Sequence, residues 1–280
     1  MKIITKIAEL QLFLTEKRLQ NKKIGFVPTM GALHLGHISL IYESKKTTDL
    51  TVCSIFVNPT QFNDKADLEK YPQMPKKDAE LLEAANCDFL FLPDVSEIYP
   101  EKDVRTFDFG YLDSILEAAF RSGHYNGVAQ VVSRLFDIVK PDVAFFGIKD
   151  YQQIMVVKAL VKQLKLPIKI VAIPIFRDKD GLAMSSRNLL LNEEERKAAT
   201  LLYKLLKKSK LLKNEGKSVS DIKYYVENQL SLNLIYKLDY FAICDADSLK
   251  EEFEFAKGRT YVALIACFVG KIRLIDNLLI

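Results

Sequence analysis

The sequence predicts an α/β protein in two parts. A mostly parallel sheet with helices on both faces is expected over residues 1–176, followed by a smaller α+β domain over residues 177–280. Three observations predict it. Short runs rich in β-branched and aromatic residues alternate with segments of helical periodicity as far as residue 176, the order that produces parallel strands joined by crossover helices. Beyond that point the order changes to two helices and then three strands. Between the parts lies RDKDGLAMSSRN (177–188), a polar stretch with one glycine that suits a loop rather than a core.

The elements follow in order. IGFVP (24–28) is a short apolar run, followed by a glycine-containing turn and a helical pattern over 36–46. TVCSIFVN (51–58) reads as a buried strand, 75–86 as a helix and DFLFLP (88–93) as the next strand. Helical periodicity resumes over 127–139, VAFFG (143–147) is a strand, 151–164 a helix, and PIKIVAIPIF (167–176) closes the series. In the second part, helices over 193–213 and 218–231 precede strands over 237–244, 260–268 and 271–276. The lysine-rich KLLKKSKLLKNEGK (204–217) keeps its leucines at helical spacing, so its lysines form a solvated face.

Composition narrows the function classes. The 280 residues are 49% hydrophobic and 27% charged, with a net charge of only +4 on 40 basic and 36 acidic residues. That balance gives no reason to expect a nucleic-acid or anionic-membrane partner. Cys53, Cys87, Cys244 and Cys267 lie far apart with no C-x-x-C pair, and three of them sit in apolar runs, as buried free thiols do. A reducing cytoplasm is the expected location. Lys6 and Glu9 interrupt what would have to be the apolar core of a signal peptide. The longest apolar run, Tyr261 to Gly270, is about half the length a membrane span needs.

In parallel sheets ligands bind outside the carboxyl ends of the strands. Residues just after Pro28, Val57, Phe146 and Phe176 are therefore expected to carry the chemistry. After the first comes TMGALHLGH, with His34 and His37, two of the three histidines in the chain. Packing or helix capping is the plain alternative for such a pair. Metal ligation would need His124 from a separate SGHYNG loop, and there is no H-E-x-x-H or Cys/His cluster to support it. Phosphate chemistry fits the surroundings better. Gly31 and Gly36 let the backbone approach a ligand, the helix start offers N–H groups and a positive dipole end, and imidazoles donate to phosphate oxygens. Lys149 and Asp150 follow VAFFG, as a point charge for phosphate and a carboxylate to bond a sugar or orient the lysine. MSSRN (184–188) brings two hydroxyls and a guanidinium, and the Asn58-Pro59 turn presents Gln61.

In their order and spacing, PTMGALHLGH, SIFVNPTQF, GHYNGV, FFGIKDYQQ and DGLAMSSRN closely resemble the pantothenate synthetase (pantoate–β-alanine ligase) family. The similarity runs from the first strand to the terminal RLIDN (273–277). The H-x-G-H and M-S-S-R elements are similar to the HIGH and KMSKS signatures of the wider nucleotidyltransferase and aminoacyl-tRNA synthetase superfamily, which imply only ATP use. NPTQF and KDYQQ narrow the resemblance to the one family. Another superfamily enzyme would keep the nucleotide motifs and lack both segments. A silent nucleotide-binding module would release no pyrophosphate when pantoate is added.

The resemblance implies a Rossmann-like domain that binds ATP and pantoate, a smaller C-terminal domain closing over the site, and a homodimer. It implies a two-step reaction in which pantoate and ATP form pantoyl adenylate and pyrophosphate, and β-alanine then displaces AMP to give pantothenate. ATP would lie against Met30, Gly31, Ala32, Leu33, His34, Leu35, Gly36 and His37, then Gly147, Ile148, Lys149 and Asp150, the backbone of Phe176, and Met184, Ser185, Ser186 and Arg187. His37 matches the family's general acid, His34 its partner at the phosphates, and Lys149 completes the catalytic set. Gln61 and Gln153 match the residues that hold pantoate and β-alanine. Mg²⁺ would accompany ATP, with no protein side chain assigned as its ligand. The chain departs from the family at Ile148, where Glu is usual. The chemistry agrees with the residues: activating a carboxylate needs its oxygen held in line with the α-phosphate and the pyrophosphate charge stabilised, without a covalent enzyme intermediate.

Overall fold

In the computed structural model, which describes residues 1–62 and 68–280, six strands build the first part. They are β1 (Lys2–Ile4), β2 (Ile24–Thr29), β3 (Leu50–Ile55), β4 (Phe89–Phe91), β5 (Val143–Gly147) and β6 (Lys169–Ile173). All pair in parallel, in the order β1-β4-β3-β2-β5-β6. The helices are α1 (Ile7–Leu19), α2 (Leu35–Thr47), α3 (Pro75–Ala84), the short α4 (Val95–Ile98) and α5 (Leu116–Phe120), α6 (His124–Val139) and α7 (Tyr151–Gln163).

β2 shows why both faces are covered. Successive side chains on a strand point to opposite faces. Val27 joins Ile38 and Ile41 of α2 in one apolar cluster, while Phe26 meets Phe136 of α6 with ring centroids 6.3 Å apart. Both residues are fully buried, as the near-continuous apolar run anticipates. Strand order reverses at β2, which has β3 on one side and β5 on the other. This is the switch point at which such sheets bind ligands, flanked by the segments that leave β2 and β5.

The chain divides into two compact units, Met1–Ile148 with Gln153–Pro174, and Lys149–Gln152 with Ile175–Ile280. The second unit contains α8 (Glu193–Asn214), α9 (Val219–Ser231) and an antiparallel sheet of β7 (Tyr236–Asp245), β8 (Tyr261–Val269) and β9 (Ile272–Leu279) in sequence order. Asn192 and Ser218 cap the two helices, each in a reciprocal pair with an acidic residue three positions on, Glu195 and Asp221. Leu202 and Leu206 of α8, Ile222 and Val226 of α9, and Ile243 and Ile265 of the sheet form its core.

Several elements differ from the sequence expectations. β1 and α1 were not anticipated: β1 is a three-residue edge strand, and only Leu10 and Leu14 of α1 are buried. β3 stops at Ile55, because Asn58 and Pro59 turn the chain into one turn of 3-10 helix over Pro59–Gln61. β6 is confined to five residues between Pro167 and Pro174, which have no N–H for the ladder. α6 starts at His124 rather than 127, directly after left-handed Gly123. All four cysteines are buried free thiols, and burial pushes Cys87, Cys244 and Cys267 up to about 12. No helix among the described residues is long and apolar enough to cross a membrane.

Candidate active site

The segment leaving β2 is shaped by a residue from elsewhere in the sequence. Gly31 is left-handed at φ +83°, and Ala32 follows at φ +47°, a conformation that strains a non-glycine residue by roughly 1–2 kcal/mol. The buried carboxylate of Asp78, on α3, accepts the backbone N–H of Ala32 at 2.9 Å and of Leu33 at 2.7 Å. A Cβ on Gly31 would sit 3.0 Å from Ile55 and 3.1 Å from that carboxylate, so the turn needs glycine. Burial raises the Asp78 pKa, and the Leu33 and Ala32 amides pull it back.

His34 and His37 then open α2 as a capping pair. The Gly36 N–H donates to Nδ1 of His34 at 3.1 Å, and the His34 N–H donates to Nδ1 of His37 at 3.3 Å. The rings lie 4.0 Å apart, tilted by 33°. An Nδ1 that accepts a hydrogen bond places the proton of the neutral imidazole on Nε2. The amides of Ala32 and Leu33 donate to Asp78, and those of His34 and Gly36 to the two rings. Helix capping, the plain alternative for the histidines, is present, and it fixes both rings at the helix start. Leu35 is exposed between them.

Gln61, after β3, is held just as closely. Asn58 Nδ2 donates to Gln61 Oε1 at 3.2 Å and to the Gly127 carbonyl at 3.1 Å, while Gln61 Nε2 lies 2.8 Å from Met30 Sδ. The Asn58 Oδ1 accepts from Tyr99 Oη at 2.9 Å. Nδ1 of His124 reaches the Gln61 carbonyl at 2.8 Å. α6 comes so near this turn that a Cβ on Gly127 would sit 2.3 Å from the Thr60 carbonyl oxygen. Met30 and Gln61, from two different predicted loops, are thus in contact. Gln153 is half-buried near the start of α7, with Gln152 and Ile154 buried on either side.

After β5, the partly buried residues Ile148, Lys149 and Asp150 form one 3-10 turn. Lys149 Nζ donates to Asp150 Oδ1 at 3.1 Å. A Cβ on Gly147 would meet no atom within 4 Å. In the second unit, Phe176 through Met184 form a tight hairpin, with Met184 N donating to the Phe176 carbonyl at 3.0 Å and a bridge between Arg177 and Ala183. Ser185 caps the next 3-10 turn by accepting from the Arg187 N–H at 3.3 Å, and Ser186 is buried. Asn58, Asp78, Tyr99, His124 and Gly127 escaped the sequence reading as site-building residues. GHYNGV and Asn58-Pro59 were visible as motifs, but Asp78 has no local signal at all.

A six-stranded parallel sheet with an imidazole pair opening the helix after its switch-point strand defines a Rossmann-like α/β unit, followed by a smaller unit built on an antiparallel sheet. The chain belongs to the pantoate-beta-alanine ligase family, which it matches over residues 2–279. It is 46% identical to the pantothenate synthetase of Porphyromonas gingivalis over 280 residues, with 99% of each chain covered. It is similar in structure to pantothenate synthetase from Thermus thermophilus, with a TM-score of 0.92, 39% identity and 99% of each chain covered. Pantoate-beta-alanine ligase from Francisella tularensis, solved with beta-gamma ATP and beta-alanine, superimposes with a TM-score of 0.82 at 34% identity, covering 100% of this chain and 97% of that one. The chain is accordingly an enzyme, a ligase of pantothenate synthesis.

Proposed function

We propose that this ligase activates pantoate with ATP at the switch point of its parallel sheet and then transfers the pantoyl group to β-alanine. In the first step a pantoate carboxylate oxygen attacks the α-phosphorus and the bond to pyrophosphate breaks. In the second, the β-alanine amine attacks the acyl carbon, AMP leaves, and the nitrogen loses a proton. The observation that carries this reading is the His34–His37 pair at the helix start after the switch-point strand, whose Nδ1 atoms accept backbone N–H groups and whose rings lie 4.0 Å apart. Paired neutral donors stabilise charge that builds on phosphoryl oxygens without the larger desolvation of another buried cation.

The further assignments rest on the family resemblance together with local geometry. His37 matches the family's general acid, and in the neutral form that its Nδ1 contact requires it acts by hydrogen bonding to the phosphates, with His34 beside it. Lys149, steadied by Asp150, neutralises phosphate charge, and Ser185, Ser186 and Arg187 bind the triphosphate. Met30 to His37, Gly147, Ile148 and the Phe176 backbone complete the nucleotide site, and the open space beside Gly147 suits close approach of a ligand. Gln61 and Gln153 bond the hydroxyls and carboxylate of pantoate, as neutral amides that bury no extra charge. Mg²⁺ is assigned to the ATP complex as part of the substrate, since it keeps most of its waters and is held largely by phosphate oxygens. A cytoplasmic homodimer completes the proposal, and four buried free thiols suit that reducing compartment.

Incubating purified protein with ATP, Mg²⁺, pantoate and β-alanine, and omitting each in turn, tests the reading. Mass analysis should find pantothenate and AMP only in the full mixture. Product formed without pantoate or without ATP would overturn it.

A further inference from the structure

The terminal RLIDN segment has no part in the chemistry proposed above, yet two of its residues tie down both nucleotide-side loops of the second unit. Asp276 lies buried in β9, with Ile265 of β8 as its ladder partner. Its carboxylate takes both arms of the Arg177 guanidinium, at 2.7 and 2.9 Å. The same guanidinium donates to the carbonyls of Gly181 and Asn277, each at 3.1 Å, and lies over the Tyr203 ring at 3.8 Å. Arg177 stands at the base of the hairpin that delivers Met184, Ser185, Ser186 and Arg187. The next residue, Asn277, is also buried, and its side-chain amide donates to the Lys149 carbonyl at 2.9 Å. Neighbouring positions on one strand therefore hold the roots of both loops, and the pairing with β8 keeps that strand rigid.

A buried ion pair is a poor device for stability alone, since apolar residues of the same volume often serve as well. A two-armed Arg–carboxylate pair does fix direction as well as distance. We propose that Asp276 and Asn277 are positioning residues for adenylation, setting the Lys149 ammonium and the Ser185–Arg187 turn in register for one triphosphate. The proposal rests on the ATP reading given above. It assigns to the C-terminal strand a task in the first half-reaction and none in the second.

The test compares Asn277→Ala with Leu274→Ala, a core truncation on the same strand. Pantoate-dependent ATP–pyrophosphate exchange reads the first half-reaction, and consumption of supplied pantoyl adenylate by β-alanine reads the second. Asn277→Ala should raise the KM for ATP about tenfold, the usual consequence of losing one buried hydrogen bond. The KM for pantoate and the second half-reaction should stay unchanged. Leu274→Ala should lower the melting temperature and leave the KM for ATP alone. If Asn277→Ala does not fold, Asn277→Asp, which keeps the size and removes the donor, is read in the same way. Losses in both variants that simply follow the melting temperature, or an equal rise for ATP and pantoate, would overturn the positioning role. Absence of exchange in the unaltered protein would instead remove the ATP reading and the positioning role with it.

Discussion

The carbonyl oxygen of Gln61 lies 2.8 Å from Nδ1 of His124, 63 residues further along the chain. A carbonyl only accepts, so this nitrogen carries a proton. Nε2 of the same ring lies 3.1 Å from Nη1 of Arg121, which only donates. The two contacts together select the neutral Nδ1–H form of His124. They fix the backbone of the residue proposed to bind pantoate.

His124→Ala should therefore raise the KM for pantoate by about tenfold, as one hydrogen bond to the Gln61 turn is lost. The KM for ATP should change little. Steady-state kinetics with each substrate varied separately checks this, and equal rises for both would assign His124 to general stability. Gly127→Ala should be harsher, because its Cβ would sit 2.3 Å from the Thr60 oxygen and force α6 away from the turn.

Asp78 should matter for both stability and rate. In Asp78→Ala the buried amides of Ala32 and Leu33 lose their acceptor, a loss of about 1–3 kcal/mol for each. Asp78→Asn keeps one acceptor oxygen and should fall between that variant and the parent. Urea unfolding measures the first effect and pantoate-dependent exchange the second. An Asp78→Ala protein as stable as the parent would show that the loop holds its left-handed turn unaided.

Asp103 gives a pH dependence of known sign. Hydrogen bonds from Arg105, with further bonding from Arg134, hold its carboxyl well below the usual carboxylate range. A lowered folded-state pKa adds stability above the unfolded value near 3.9, and this is lost as pH falls below it. The melting-temperature gap between the parent and Asp103→Asn should be widest near neutral pH and narrow below about pH 4. A gap that stays constant from neutral pH to pH 3 would contradict the ion-pair origin.

How far these features could be read from sequence depended on their range. The strand–helix alternation, the switch-point loops and the second domain's order are local patterns, and they emerged at nearly the right places. β1 was missed because a three-residue edge strand offers no periodicity, and α1 because it buries only two of its side chains. His34 and His37 were legible as a pair, but their mutual cap was not, since it depends on ring orientation. Asp78 bonds residues 45 and 46 positions away, and His124 reaches Gln61 across 63. Such partners carry no spacing signal, because the fold creates the proximity.

The two glutamines separate pantoate binding from nucleotide binding. Gln61→Ala and Gln153→Ala should each weaken pantoate use by roughly tenfold to a hundredfold, equivalent to about 1–3 kcal/mol at 1.4 kcal/mol per decade. Calorimetric titration of ATP alone should change little. Intact pantoate binding in both variants would refute the assignment.

The central claim is that pantoate is adenylated before β-alanine takes part, with His37 stabilising the transition state. Isotope exchange between pyrophosphate and ATP tests it most directly. The exchange should require pantoate, proceed without β-alanine, and fall by roughly 10²–10³ in a folded His37→Ala variant, the usual effect of losing one charge-stabilising donor. Exchange that appears only when β-alanine is present, or that persists at full rate in His37→Ala, would contradict the account.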